Sequence, residues 1–285
     1  ADRQAVYGPR NGDFAAMSAA EFVSRGGVTL RVAEGVAHVT IRRGDRFNAL
    51  GMETLTGLRD AARALRTDTA AHAVIVSGDP VFTAGADLKD PALRARDTMS
   101  LLEKREILRL GPDMCDAFEA LDQVTIAAIE GFCIGGGVAL AAACDFRVIA
   151  RSAYMRLPEV PLGMNMSWHT IPRLVALCGP ARTKHLTLFG ERLGAAEALA
   201  QGLADQVSED GAALAAAGAL AAKAAALPPV AARIAKRAIL QAASALGAAT
   251  SYADLDQYAL ASMTADHKEA VAAFLEKRAP SFKGN

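Results

Sequence analysis

The stretch Thr125-Ile126-Ala127-Ala128-Ile129-Glu130-Gly131, followed by Gly135-Gly136-Gly137 and the apolar run Val138 to Cys144, decides the fold. Its first part is a short apolar run of strand length, and the run after the glycines suits a buried helix. Between them, glycine lets the chain turn tightly and lets a ligand oxygen approach the backbone closely. The helix that follows would direct the positive end of its dipole at the same spot. Tight turning and close helix packing are the purely structural alternative for these glycines.

Upstream, Ala73-Val74-Ile75-Val76-Ser77-Gly78 is a second buried strand, and it runs into Val81-Phe82-Thr83-Ala84-Gly85-Ala86-Asp87-Leu88-Lys89. That loop is also poor in side-chain bulk, so it and the triple glycine can together present bare N–H groups to one oxygen, as an oxyanion hole does. The alternating segments Val28 to Val32 and Val36 to Ile41, joined at Glu34-Gly35, predict a β-hairpin. Helical spacing covers Met52 to Leu65 and Met99 to Ala120, and Phe146 to Ala150 predicts a third strand leading to Tyr154-Met155-Arg156-Leu157-Pro158-Glu159. Strand and helix alternate, which means an α/β core with a covered sheet. After Pro172 the chain is expected to be helical to its end, with Ala-rich helices at Ala212 to Ala226 and Ala231 to Ala249. The expected organisation is a flexible arm over 1–16, a core over 17–205 and a helical region over 206–285.

The 285 residues carry 31 basic and 31 acidic side chains, without the surplus of Lys and Arg that a nucleic-acid partner requires. No apolar run reaches membrane-spanning length and no signal-peptide order opens the chain, so the expected compartment is the cytoplasm. Cys115, Cys133, Cys144 and Cys178 lack C-x-x-C spacing, and buried free thiols are expected instead of disulfides or a metal site. No dinucleotide fingerprint is present.

Taken in order, Phe82 to Lys89, Ala128 to Gly131 with the triple glycine, Ala143-Cys144-Asp145-Phe146, Leu157-Pro158-Glu159 with Leu162-Gly163, Ala196-Glu197-Ala198 with Gly202-Leu203, and Phe274 to Arg278 with Pro280 and Phe282 resemble the crotonase (enoyl-CoA hydratase/isomerase) superfamily. The resemblance spans Val28 to Gly284. It implies an α/β spiral of repeated ββα units, a helical C-terminal trimerisation region, and a homotrimer or dimer of trimers. It further implies an acyl-CoA thioester as substrate, with coenzyme A entering as part of that substrate and no separate cofactor. The N–H groups of Ala86 and Gly136 would hold the thioester oxygen.

Hydratases of the superfamily usually carry two glutamates, and this chain keeps one. Ala139 stands where the first would be, on the same helix face as Gly136, and it cannot transfer a proton. Glu159 stands at the second, between Pro158 and apolar Val160, where desolvation raises a carboxylate's pKa; a surface or capping carboxylate is the alternative. One proton-transfer group suits moving a double bond better than adding water, and this pattern resembles the Δ3,Δ2-enoyl-CoA isomerases. A hydratase with a non-standard acid and a non-catalytic acyl-CoA-binding homologue remain as alternatives.

Where hydratases commonly have a glycine-rich loop, this chain has Met164-Asn165-Met166-Ser167-Trp168-His169-Thr170. Met164 and Trp168 are expected to narrow the substrate pocket or shape an unusual acyl group. His169 is either a second acid/base in that pocket or a hydrogen-bonded residue at a helix start, the second being the stronger reading. Arg46, Lys89 and Lys277 are candidates for the coenzyme A phosphates, with Ala84 and Asp87 beside them in the donor loop, and solvated surface charge is the competing role for the basic residues.

Overall fold

The structure, a computed structural model, describes residues 22–23, 25–44, 47–94, 98–245 and 247–285. The expected N-terminal arm and Arg46 lie outside them. Strand β1 (Phe22–Val23) pairs with β2 (Val28–Ala33), and β2 forms a hairpin with β3 (Val36–Ile41). Its two-residue turn has Glu34 at φ 51° and Gly35 at φ 78°. Positive φ at both turn positions matches the strand twist of a tight hairpin. Helix α1 (Met52–Leu65) turns Leu55, Leu58, Ala61, Ala62 and Leu65 inward, the spacing of one helix face.

Strand β4 (Ala73–Gly78) is followed by α2 (Pro91–Arg94), α3 (Leu101–Leu108) and α4 (Leu110–Glu119). The single helix expected over 99–120 is thus two, because Pro112 has no N–H to offer the Leu108 carbonyl and the ladder breaks there. Strands β5 (Val124–Ile129) and β6 (Phe132–Ile134) lead into α5 (Gly136–Ala142), and β7 (Phe146–Ala150) and β8 (Tyr154–Arg156) into α6 (Thr170–Phe189). Helix α6 is interrupted at Gly179 (φ 77°, ψ 166°), just before Pro180. Then come β9 (Leu193–Gly194), α7 (Ala195–Ala200), β10 (Gln206–Ser208), α8 (Ala213–Ala225), α9 (Pro229–Ala243), α10 (Gly247–Ser251), α11 (Asp254–Ser262) and α12 (Ala265–Glu276).

The larger sheet runs β1-β2-β3-β4-β5-β7-β10, parallel from β3 onward, and the smaller runs β6-β8-β9. Successive units therefore give one strand to each sheet, β5 with β6 and β7 with β8, which is the repeated spiral expected. Two expectations need correction. The chain is not wholly helical after Pro172, since β10 completes the larger sheet beside β7. Nor does the core stop at 205: α8 buries Ala213, Ala217 and Ala221 against β4, β5 and β7. Small alanines at i, i+4, i+8 let that helix lie close to the sheet, so an Ala-rich segment that looked like bare helix propensity is core. Helix α9, by contrast, buries none of its residues and exposes Val230, Ile234 and Ile239. Among the described residues no single helix is long and apolar enough to cross a membrane.

Candidate active site

The loop after β4 is pinned on both sides. Leu50 N donates to Gly85 O at 2.7 Å and Asp87 N to Leu50 O at 3.2 Å, a short parallel bridge that leaves the intervening Ala86 amide facing away. Ala86 is exposed, and its N–H donates to no other group among the described residues. Buried Asn48 fixes the opposing strand, accepting from Arg43 N at 2.8 Å and donating to Val81 O at 2.6 Å. Buried Asp87 accepts from Arg43 Nη1 and from Lys89 N, at 3.1 and 3.0 Å. A carboxylate tied to a guanidinium and a backbone amide in this way is a rigid brace.

The second donor comes from the turn between β6 and α5. Gly135 holds φ 54° and ψ −116°, a conformation side chains resist, and its own N–H is spent on Arg156 O at 2.8 Å. The next amide, Gly136 N, opens α5 and donates to no protein group among the described residues. A Cβ added at Gly85 would stand 3.6 Å from Gly136 N, so the two donor loops meet here.

Glu159 follows β8 in a tight turn, with Leu162 N and Met164 N both donating to its carbonyl at 3.0 and 2.9 Å. Its carboxyl lies against the donor turn: a Cβ at Gly135 would be 2.6 Å from Oε1. Oε2 is buried with no hydrogen-bond partner among the described residues. Burial pushes the carboxyl up to about 7, against the opposing pull of its own backbone amide and the Arg156 charge. A carboxyl poised near neutrality beside two unspent amides can take a proton and return it.

A profile of the family described as Enoyl-CoA hydratase/isomerase matches residues 31–285. The chain belongs to that family. Among curated relatives, the crotonyl-CoA hydratase of Syntrophomonas wolfei is 33% identical over 257 residues, covering 90% of this chain and 97% of the relative. The short-chain-enoyl-CoA hydratase of Clostridium acetobutylicum is 32% identical, covering 85% and 92%. An enoyl-CoA hydratase structure from Mycobacterium avium subsp. paratuberculosis superposes with a TM-score of 0.80 at 28% identity, covering 90% and 98%.

Within this member of the enoyl-CoA hydratase/isomerase family, the structure brings Ala86, Gly136 and Glu159 together and leaves Ala139 fully buried on α5. Trp168 joins them: its indole carbons Cζ3 and Cη2 lie 2.3 and 2.5 Å from where a Gly136 Cβ would be. Met164 is buried and lines a cavity of about 360 Å³ with Val160, Asn165 and Thr264. Ala84 belongs to the donor loop, its N–H on Phe47 O at 3.0 Å. Lys89 and Lys277 are exposed, Lys277 as the left-handed residue ending α12.

Two further candidates are held by charged neighbours. Asp87 is buried in its pair with Arg43, which braces the donor loop. His169 is held by carboxylates at the start of α6: Nδ1 is 3.0 Å from Asp116 Oδ1, Nε2 faces Asp254 Oδ1 at 3.8 Å, and its backbone N–H donates to Asp254 Oδ2 at 2.7 Å. The Asp116 hydrogen bond raises its pKa despite partial burial.

Arg173 went unnoticed in the sequence. Its guanidinium donates to Asp116 and Glu119 of α4 and, at 2.8 Å, to the Trp168 carbonyl. Carboxylates at i, i+3 on α4 were the available signal, but only the fold brings their cation to them.

Proposed function

We propose that this protein shifts the double bond of a 3-enoyl-CoA to the 2-position, with Glu159 as the one carboxylate that takes and returns the proton. The thioester oxygen is held by the amides of Ala86 and Gly136. Glu159 removes a proton from the carbon next to the thioester, and the electron pair moves into the carbonyl to give an enolate. The proton then goes back two carbons further along as the double bond forms next to the thioester. Two donors on the enolate oxygen lower the barrier by about 3 kcal/mol or more each in a dry site.

The observation that carries this reading is the Glu159 carboxyl, raised to about 7, with Oε2 buried and unpartnered among the described residues and Oε1 over the Gly135 turn; Ala139, where the resemblance implies a second acid, is buried and has no group to transfer a proton. His169, the other candidate acid, has both ring nitrogens facing carboxylates, which supports Glu159 acting alone. The names of the relatives favour a second reading, hydration of a 2-enoyl-CoA, which needs a further acid. Lys89, Lys277 and the Ala84 segment are the proposed contacts for the coenzyme A portion, and the outward apolar side chains of α9 the proposed contact between subunits of a trimer. The cytoplasm is the proposed compartment.

Glu159→Gln keeps the shape of the side chain and removes its basicity. It should lower turnover of a 3-enoyl-CoA by about 10² to 10⁴ while leaving acyl-CoA affinity within a few fold. Turnover near that of the unmodified protein would end the reading.

A further inference from the structure

The indole of Trp168 is wedged between two helices. On one side it covers Gly136, and on the other a Cβ at Gly111 would stand 2.1 Å from Cε2 and 2.2 Å from Nε1. Gly111 has no positive φ to justify it, and glycine inside a helix such as α4 costs roughly 1 kcal/mol against alanine. The gap left by its missing side chain is where the ring fits. The backbone beneath the ring is equally committed. Trp168 and His169 are consecutive left-handed residues, φ 62° and 54°, a conformation that costs about 1 to 2 kcal/mol per residue. They are held there by the Arg173 bond to the Trp168 carbonyl and the Asp254 bond to the His169 amide. Arg173 is in turn gripped by Asp116 and Glu119 of α4, the helix that carries Gly111. One helix thus both receives the ring and anchors the chain that delivers it.

We infer that Trp168 is the specificity-determining residue of the site, an immobile apolar wall that admits short acyl groups and turns away long ones. This rests on the acyl-CoA reading above. An oxygen bound to Gly136 N–H puts its carbon, and the acyl chain attached to it, beside the indole edge that touches the same glycine. Glu159 lies over the adjacent Gly135, so the first carbons of the chain pass between carboxyl and ring. Further carbons meet a ring that cannot swing aside, because α4 is behind it. A long chain has to displace the indole and, with it, the left-handed pair and the Arg173 anchor. Longer side chains forced into a filled site cost as much as overpacked cores do.

Trp168 is the only tryptophan in the chain, so its emission reports on this wall alone. The full chain is titrated with coenzyme A, butyryl-CoA and octanoyl-CoA, saturated esters that cannot isomerise, with affinity read by calorimetry. Butyryl-CoA should change the indole emission and coenzyme A alone should not, and octanoyl-CoA should bind at least about tenfold more weakly than butyryl-CoA. Trp168→Ala should reverse that preference. If this variant fails to fold by circular dichroism, Trp168→Leu serves for the affinity ratio, and the unmodified protein's own ratio and emission already decide. Equal affinity for the two esters, or unchanged emission at butyryl-CoA saturation, overturns the wall. Loss of the double-bond shift with the ester pattern intact would remove the shuttle and leave the wall standing, and the converse result would do the opposite.

Discussion

On one side of the site, residues 82–89 and 134–137 offer backbone amides from loops tied to the ends of parallel strands. On the other, residues 158–170 offer side chains whose positions depend on α4 and α11. The first side is made rigid by one neighbouring segment, through the Leu50 to Ala86 bridge and the Arg43–Asp87 pair. The second is made rigid at long range, by Asp116, Glu119 and Asp254 acting through Arg173 and His169. An amide donor is set by φ and ψ, so it tolerates sequence change as long as the turn survives. A carboxyl or an indole is set by everything packed around it.

Gly136 is where the two sides touch, and substitutions there separate them with the largest effect. Gly136→Ala keeps the N–H but drives a Cβ into the Trp168 ring; Gly136→Pro adds the same clash and removes the donor. Both should lose turnover, the proline variant by about 10² to 10³ or more. Adding Trp168→Gly should restore much of the alanine variant and little of the proline one. Steady-state kinetics on the four proteins tests this, and equal rescue of both would show that the amide contributes nothing.

A smaller effect isolates the buried carboxyl from catalysis. Between the ordinary glutamate value of 4.5 and about 7, folded Glu159 keeps a proton that the unfolded chain has released. The folded state therefore binds more protons in that window, and stability falls as pH rises through it. Glu159→Gln removes the titration, so it should be more stable than the parent by roughly 3 kcal/mol near pH 8 and show no such gain near pH 4. Urea unfolding at the two pH values measures the difference; a gain independent of pH would mean that Glu159 is not held in a desolvated position.

The contrast also explains what the sequence made legible. Gly85-Ala86 and Gly135-Gly136 could be read because a donor turn announces itself in a few adjacent residues. The hairpin at Glu34-Gly35, α1 and β4 were readable for the same reason, their periodicity being local. Arg173, Asp116, Glu119 and Asp254 meet across three segments of chain, and no spacing rule joins them. Gly111 carries no signal in the sequence, and only the indole packed beside it accounts for the missing side chain. The role of α8 was hidden because an alanine stripe against a sheet and an exposed alanine-rich helix have the same composition.

Whether one carboxyl moves a proton along the acyl chain without adding water is decided by an isotope experiment. The purified protein is given a 3-enoyl-CoA and, separately, a 2-enoyl-CoA in oxygen-labelled water, and the products are analysed by mass spectrometry. With Glu159 as the sole shuttle, the 3-enoyl ester is converted to the 2-enoyl ester, with no labelled oxygen in either product. A 3-enoyl ester left untouched while the 2-enoyl ester gains labelled oxygen would contradict that role.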